Sequence, residues 1–322
     1  IGAPTGVLPD GRYTYYRDPL GGPSGNRNRF NANGDFSGNV TLLRNTDKGS
    51  SDNVTLSLRK PFSDNWSGNV AASFGRATEV NPGTSSQASS NYSNNWWINP
   101  NEDVASPSNG SIRPRLSASL TWEHKFFGDY ATAVTAFYDG HTGNPYSWVF
   151  GNDMNGDSYS RDLVYIPNPG DVSFTADTTA AQQQQFYDFI AGNDYLSDHR
   201  GEIAGRNGAN SAWVNQVDLS FRQEVPGFFP EGAKGELRLD IFNLMNLLNK
   251  DWGQQEYVGF PYGRTLANYQ GIGGDRKPIY SLPTDGDGNY QPGGTIVYDA
   301  GRDIKTNVVS RWSAMITLRY TF

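Results

Sequence analysis

The sequence predicts an all-β fold, an antiparallel transmembrane β-barrel wall with long extracellular loops and one short loop helix. Three observations predict it. Apolar and polar residues alternate in several separate runs, and a side-chain period of 2 gives each strand one apolar and one polar face. The connections between runs are alternately short (61–65, 127–129, 226–234) and long (81–112, 141–211, 246–309), the asymmetry of strands that cross a membrane back and forth. The polar faces carry charges that a dry core would not tolerate unpaired.

Residues 1–35 are rich in Pro and Gly around Tyr13, Tyr15 and Tyr16 and read as an exposed loop. Alternation begins with Phe36, Val40 and Leu42 and continues through Val54, Leu56 and Leu58 opposite Thr55, Ser57 and Arg59. A turn at Pro61–Asn65 leads to Trp66, Val70, Ala72 and Phe74. The polar stretch 81–112 holds the Trp96–Trp97 pair. Leu116, Ala118, Leu120, Trp122 and Phe126 then alternate with Ser117, Ser119, Thr121, Glu123 and Lys125, and the Gly128–Asp129 turn returns the chain through 130–140. Within 141–211, a helix is predicted over Thr179–Ala191, with Asp177 or Thr178 as N-cap and Phe186, Phe189 and Ile190 on one face. Val217, Leu219 and Phe221 form the next apolar face, followed after a turn by Leu237, Leu239 and Ile241.

The chain ends on a strand in which Trp312, Ala314, Ile316, Leu318, Tyr320 and Phe322 alternate with Arg311, Ser313, Met315, Thr317, Arg319 and Thr321. Aromatic residues at both ends of an apolar face suit lipid outside and a wet lumen inside. An amphipathic strand of a soluble sandwich is the alternative. The stretch resembles the C-terminal assembly signal of bacterial outer-membrane barrels, with Trp312, Leu318, Tyr320 and Phe322 as the signal residues and the barrel-assembly machinery as the implied partner.

Composition narrows the function classes. The 322 residues include 13% aromatics, 37 Gly, 18 Pro and no Cys, which removes disulfides and thiol chemistry. Mean hydropathy is −0.63 and no apolar run is long enough for a transmembrane helix; half-polar strands and hydrophilic loops make a barrel compatible with both facts. A net charge of −7 without a basic cluster argues against nucleic acid as a partner. No Gly-x-Ser-x-Gly elbow occurs and His124, His141 and His199 have no zinc-ligand spacing, so no enzymatic activity is expected.

Two acidic turns carry the candidate site residues. Asp153, Asn155, Asp157 and Asp162 include the D-x-N-x-D spacing of a calcium loop, in which alternate residues converge oxygens on a hard cation. The match is partial, with Ser158 rather than Gly at position 6 and no Glu at position 12, and a solvated turn is the alternative reading. Asp285, Asp287 and Asn289 repeat the spacing more weakly in a Gly-rich turn. Ca²⁺ is the cofactor these turns suggest. Trp96, Trp97, Trp148 and Tyr159 lie in predicted external loops, where they either bind sugar or peptide ligands or fold the loops upon one another.

Several stretches together carry a family resemblance: Arg76-Ala-Thr-Glu-Val-Asn-Pro-Gly-Thr-Ser-Ser, Asp153-Met-Asn-Gly-Asp leading into Arg161-Asp-Leu-Val-Tyr-Ile-Pro, Leu196-Ser-Asp-His-Arg-Gly-Glu-Ile, Leu237-Arg-Leu-Asp-Ile-Phe-Asn-Leu-Met-Asn, and the Phe322 terminus. Over nearly its whole length the chain resembles the C-terminal part of an Oar-like (OmpA-related) TonB-dependent receptor of Gram-negative bacteria. That resemblance implies a 22-stranded multi-pass outer-membrane barrel, plugged by an N-terminal domain and energised through TonB. Residues 1–322 would then be the C-terminal part of the barrel domain, with the plug domain and N-terminal strands absent. The nine charges on the polar faces (Arg59, Glu123, Lys125, Asp218, Arg222, Glu236, Arg238, Asp240, Arg319) suit such a wide, wet lumen better than the filled interior of an eight-stranded barrel. The function expected is binding and import of a ligand at the cell surface. The alternatives are an outer-membrane adhesin or scaffold acting through its loops, and a secreted glycan-binding β-sandwich.

Overall fold

Two β-rich parts of different character make up the chain in this computed structural model, which describes residues 3–23, 40–111, 114–294, 296–298 and 310–322. In chain order the longer strands are β1 (Ser50–Ser63), β2 (Trp66–Glu79), β3 (Arg115–Phe127), β4 (Tyr130–His141), β5 (Pro145–Phe150), β6 (Val214–Pro226), β7 (Lys234–Phe242), β8 (Gly263–Ile272), β9 (Pro278–Ser281) and β10 (Ser313–Thr321). The helices are α1 (Ala88–Ser93), α2 (Ala180–Ala191), α3 (Asp194–Asp198) and α4 (Leu244–Leu248).

Seven strands form an antiparallel wall in the order β10-β7-β6-β4-β3-β2-β1, with Ser106–Pro107 added beside β2. Among the described residues the wall is an open sheet, and its edge strands β1 and β10 do not pair with each other. The register brings the apolar faces into rows. Leu58 stands opposite Val70, which stands opposite Ala118, then Tyr138, then Val217; Leu239 faces Ile316 and Leu237 faces Leu318. Among the described residues this face is left open: Leu58 is 76% exposed, Ile316 71% and Leu318 80%. The connections at one end are tight because Asp64 and Asn65 both take positive φ (53° and 72°) and Gly128 takes φ 62°. Two consecutive positive φ values are those of the hairpin turn whose twist matches the strands it joins.

The long connections fold together at the other end into a head with its own core. There β8 runs parallel to β5 and antiparallel to β9, flanked by the short strands Ala209–Asn210 and Ser173–Phe174. Helix α2 buries Phe186 and Ile190, one turn apart, against Phe174 and Tyr290. Its start is a capping box: the Thr179 hydroxyl accepts the Gln182 N–H at 3.3 Å, and the Gln182 side chain accepts the Thr179 N–H at 2.8 Å.

Several expectations change. The helix cap is Thr179, not Asp177 or Thr178, because Thr179 is the last extended residue whose oxygen can reach the third helical N–H. One loop helix was expected and four helices are present among the described residues; α1, α3 and α4 span six residues or fewer, too short to show a period. Val40 and Leu42 are exposed outside any strand, and Phe36 lies outside the described residues. Of the N-terminal stretch expected as an exposed loop, residues 3–23 are described, and there Leu8, Arg12, Thr14, Tyr15 and Tyr16 are buried.

The location of the core predicts where truncation hurts. Phe186→Ala should cost about 3–5 kcal/mol of head stability, the usual toll of an emptied aromatic site. Leu318→Ala should change stability in detergent by no more than about 0.5 kcal/mol, as exposed positions do. Denaturant unfolding of the two variants, followed by tryptophan fluorescence, checks the contrast.

Candidate functional site

The 153–162 turn is the most heavily built polar feature of the head. Asp153 is 5% exposed, Asn155 0%, Asp157 2% and Asp162 0%, so the solvated-turn reading does not hold. The turn arises because its short polar side chains bond their own backbone. The Asp153 carboxylate accepts the N–H groups of Gly156 at 2.7 Å and Ser158 at 2.9 Å; Asn155 Oδ1 accepts that of Asp157, and Asp157 Oδ1 that of Tyr159. Asp162 reaches back, its Oδ2 accepting the Met154 N–H at 2.8 Å.

Two distant segments close over this turn. Residues 10–16 lie across it as a strap: the Tyr15 N–H donates to the Asn155 carbonyl at 2.6 Å, and the Tyr16 hydroxyl donates to the Asp153 carbonyl at 2.8 Å. Arg12, fully buried, pairs with Asp10 at 2.7 Å, donates to the Leu163 carbonyl at 2.8 Å and stands 3.9 Å from Asp162 Oδ1. From the other side Trp97 donates its indole N–H to Asp157 Oδ2 at 3.2 Å, while its backbone bridges Arg161 and Leu163. Burial, with Asp153 adding repulsion, pushes the Asp157 carboxyl up to about 6. Burial and the charge of Asp157 likewise raise Asp162 well above the usual carboxylate range, against the opposing pull of Arg12.

The other predicted residues are placed differently. Asp285, Asp287 and Asn289 form a surface hairpin in which Asp285 Oδ1 accepts the N–H groups of Asp287 and Asn289. Asp287 and Asn289 are exposed. Asn289 and Gly288 instead accept hydrogen bonds from Gln185 and Gln182 of α2. Trp96, Trp97 and Trp148 are buried, so they fold the loops upon one another. His124 lies in an aromatic ladder with Trp122 and Phe126, His141 bonds Asp139, and His199 stacks on Tyr195. Among the described residues no group of three or more His, Cys, Asp or Glu side chains stands together in metal-holding geometry, Asp153, Asp157 and Asp162 included.

On the wall, the polar face pairs many of its charges. Arg222 bonds Glu123 at 2.5 Å and lies 4.0 Å from Glu236; Arg238 bonds Asp240 at 2.9 Å; Arg115 and His141 both meet Asp139. Of the terminal-strand residues, Tyr320 uses its hydroxyl to bind the turn at Phe228 and Phe229, while Trp312, Leu318 and Phe322 are exposed on the apolar face. Sequence reasoning missed Arg12 and Tyr16, and also Arg206, which ties the head to the wall through Glu79, Val80 and Asn95. No local pattern marks them, since apart from Asp10 beside Arg12 the partners named lie over a hundred residues away. Comparison of the chain with family models, with curated proteins and with solved structures finds no match.

The strap depends on one glycine. Gly156 takes φ 81°, and a Cβ there would stand 2.9 Å from the Tyr16 backbone nitrogen and 3.0 Å from its ring. Gly170, at φ 92°, has nothing within 4 Å. Gly170→Ala should carry only the left-handed backbone cost, about 1–2 kcal/mol; Gly156→Ala should cost more and speed amide exchange across residues 12–16, which exchange mass spectrometry reads directly.

Proposed function

We propose that this chain is part of the barrel wall and extracellular loops of an outer-membrane receptor of the Oar-like, TonB-dependent type, binding a ligand at the cell surface and passing it inward. The observation that carries this reading is the apolar face of the wall, open among the described residues and framed by aromatic residues at both ends. Trp66 and Phe74 on β2 lie eight residues apart, as do Trp312 and Tyr320 beside and on β10. Eight residues span about 27 Å of strand, on the scale of the roughly 25 Å apolar band of outer-membrane barrels. At the short-turn end Trp66 faces Trp122 across the ladder, and Lys60 lies 4.0 Å over the Trp66 ring, a cation at the depth where headgroups would sit.

The polar face supports a wet interior, because half-exposed ion pairs such as Arg222–Glu123 keep their solvation there. The edges of β1 and β10 are what further wall strands would pair with. In this reading the partners are outer-membrane lipid, the barrel-assembly machinery acting on the terminal strand, and the plug domain and TonB. The closed packing of the head, with three tryptophans inside, favours a second reading, a surface scaffold or adhesin on the same wall. Lipid-type side chains left in the open speak against the soluble sandwich, which would bury them.

A charge on the apolar face should block assembly. Leu318→Arg is expected to cost about 2–4 kcal/mol at mid-membrane and to deplete the protein from outer-membrane fractions, whereas Thr317→Leu on the polar face should be tolerated. Normal membrane assembly of Leu318→Arg alongside failure of Thr317→Leu would reverse the assignment of inside and outside. Import, as opposed to display, is tested by uptake of surface-bound ligands in cells with and without TonB.

A further inference from the structure

We propose that the connection from Gly227 to Ala233, between β6 and β7, is a membrane-interface element that sets Phe228 and Phe229 into lipid, and that the Tyr320 hydroxyl is the clasp that holds it there. The inference rests on the outer-membrane reading above and goes beyond it by assigning this one turn a lipid-binding role.

The tight connections of the wall lie at one end, and two of them have polar tips, Asp64–Asn65 and Gly128–Asp129. The third breaks the pattern. Phe228 is 100% exposed and Phe229 81%, although turn tips are ordinarily built of Gly, Pro, Asn, Asp and Ser. Neighbouring large apolar side chains held in the open mark a surface that something covers.

This turn is firmly built. Its neck is pinched by the Gly227 N–H, which donates to the Ala233 carbonyl at 2.9 Å, and the Ala233 N–H donates to the Pro230 carbonyl at 3.0 Å. A Cβ on residue 227 would stand 2.5 Å from the Ala233 carbonyl, so the closure needs Gly227. From β10, Tyr320 Oη accepts the N–H groups of Phe228 and Phe229, both at 2.9 Å, and donates to the Phe229 carbonyl at 2.6 Å. A hydroxyl has one proton to give and two lone pairs to share, and these three bonds use them all. The backbone is thereby fixed with both rings outward.

Continuity with the wall argues that lipid covers them. Phe228 borders a recess of the apolar face together with Val225, Leu237, Leu318 and Tyr320. Exposed Phe62, Phe126, Phe127 and Phe322 extend apolar surface along the same end, from β1 to β10. A protein partner would call for a local patch, whereas a belt as wide as the wall fits the planar interface of a bilayer, where aromatic side chains sit at headgroup depth. Phe has no polar atom to keep in water, which draws its ring to the acyl side of that layer. Glu231, exposed on the same turn, marks the water side.

The chain has no cysteine, so a nitroxide spin label can be placed at one chosen position. In protein reconstituted in phosphatidylcholine vesicles, a label on Phe228→Cys should collide more with oxygen, which concentrates in the acyl region, than with a water-soluble nickel chelate. A label on Leu318→Cys should do the same, and one on Glu231→Cys the reverse. In the unlabelled wild type, the Phe228 and Phe229 amides should exchange more slowly, relative to their intrinsic rates, than the Glu231 amide. Tyr320→Phe keeps the ring and removes the hydroxyl. It should speed exchange of those two amides at least about fivefold and loosen the label on Phe228→Cys, while the label on Leu318→Cys stays in lipid. A Phe228→Cys label reached by nickel, with the Leu318→Cys label in lipid, overturns the proposal and leaves the wall reading standing. A Leu318→Cys label reached by nickel takes away the wall reading and this proposal with it. A Phe228→Cys label shielded from both probes places the turn against protein and overturns the lipid assignment. Wild-type amides of Phe228 and Phe229 no slower than that of Glu231, or unchanged in Tyr320→Phe, overturn the clasp.

Discussion

Period-2 alternation along seven antiparallel strands puts most large apolar side chains of the wall on one face, Phe137, Phe242 and Met315 excepted, and among the described residues much of that face stays open. Rows such as Leu58, Val70, Ala118, Tyr138 and Val217 therefore cannot serve as a protein core. The buried core lies instead in the connections between wall strands, on β5, α2 and β9, around Trp148, Phe150, Phe186 and Tyr280. The long connections thus carry regular elements and a core of their own. That core also explains why they carry so many aromatics. They must bury enough surface to offset the chain entropy of their own ordering.

The head holds together through a few polar anchors between segments distant in sequence. Arg12 and Tyr16 reach the acidic turn, Trp97 closes it from the opposite side, and Arg206 joins the head to the ends of β2 and the following loop. Each anchor places a donor where a buried carbonyl or carboxylate needs one, which makes the arrangement specific as well as stable. The acidic turn is the exception. It gathers three buried carboxylates, Asp153, Asp157 and Asp162, in one short stretch of chain.

The wall's polar face meets a milder problem. Arg222 between Glu123 and Glu236, and Arg238 beside Asp240, pair charges that the sequence places on different strands or two residues apart. These side chains remain partly exposed, so pairing adds only modest stability. Its larger effect is to fix register, since a one-residue slip would put each of these charges on the apolar face.

The positions of the seven wall strands, their two faces, the short turns at Asp64–Asn65 and Gly128–Asp129, and the body of α2 were legible in the sequence, whereas β5, β8 and β9 lie in stretches read as loops. Each follows from a local period or from a turn residue whose own backbone preference decides the outcome. The D-x-N-x-D spacing was legible for the same reason, because Asx side chains bond within a few residues. Tertiary structure alone decided that Asp153, Asp157 and Asp162 are buried, that Asp285 and its neighbours form a surface hairpin beside α2, and that residues 10–16 strap the head. Burial of a polar turn depends on what crosses over it, and Arg12, Tyr16 and Trp97 come from segments whose positions relative to it are set by packing, which no local pattern in the chain encodes.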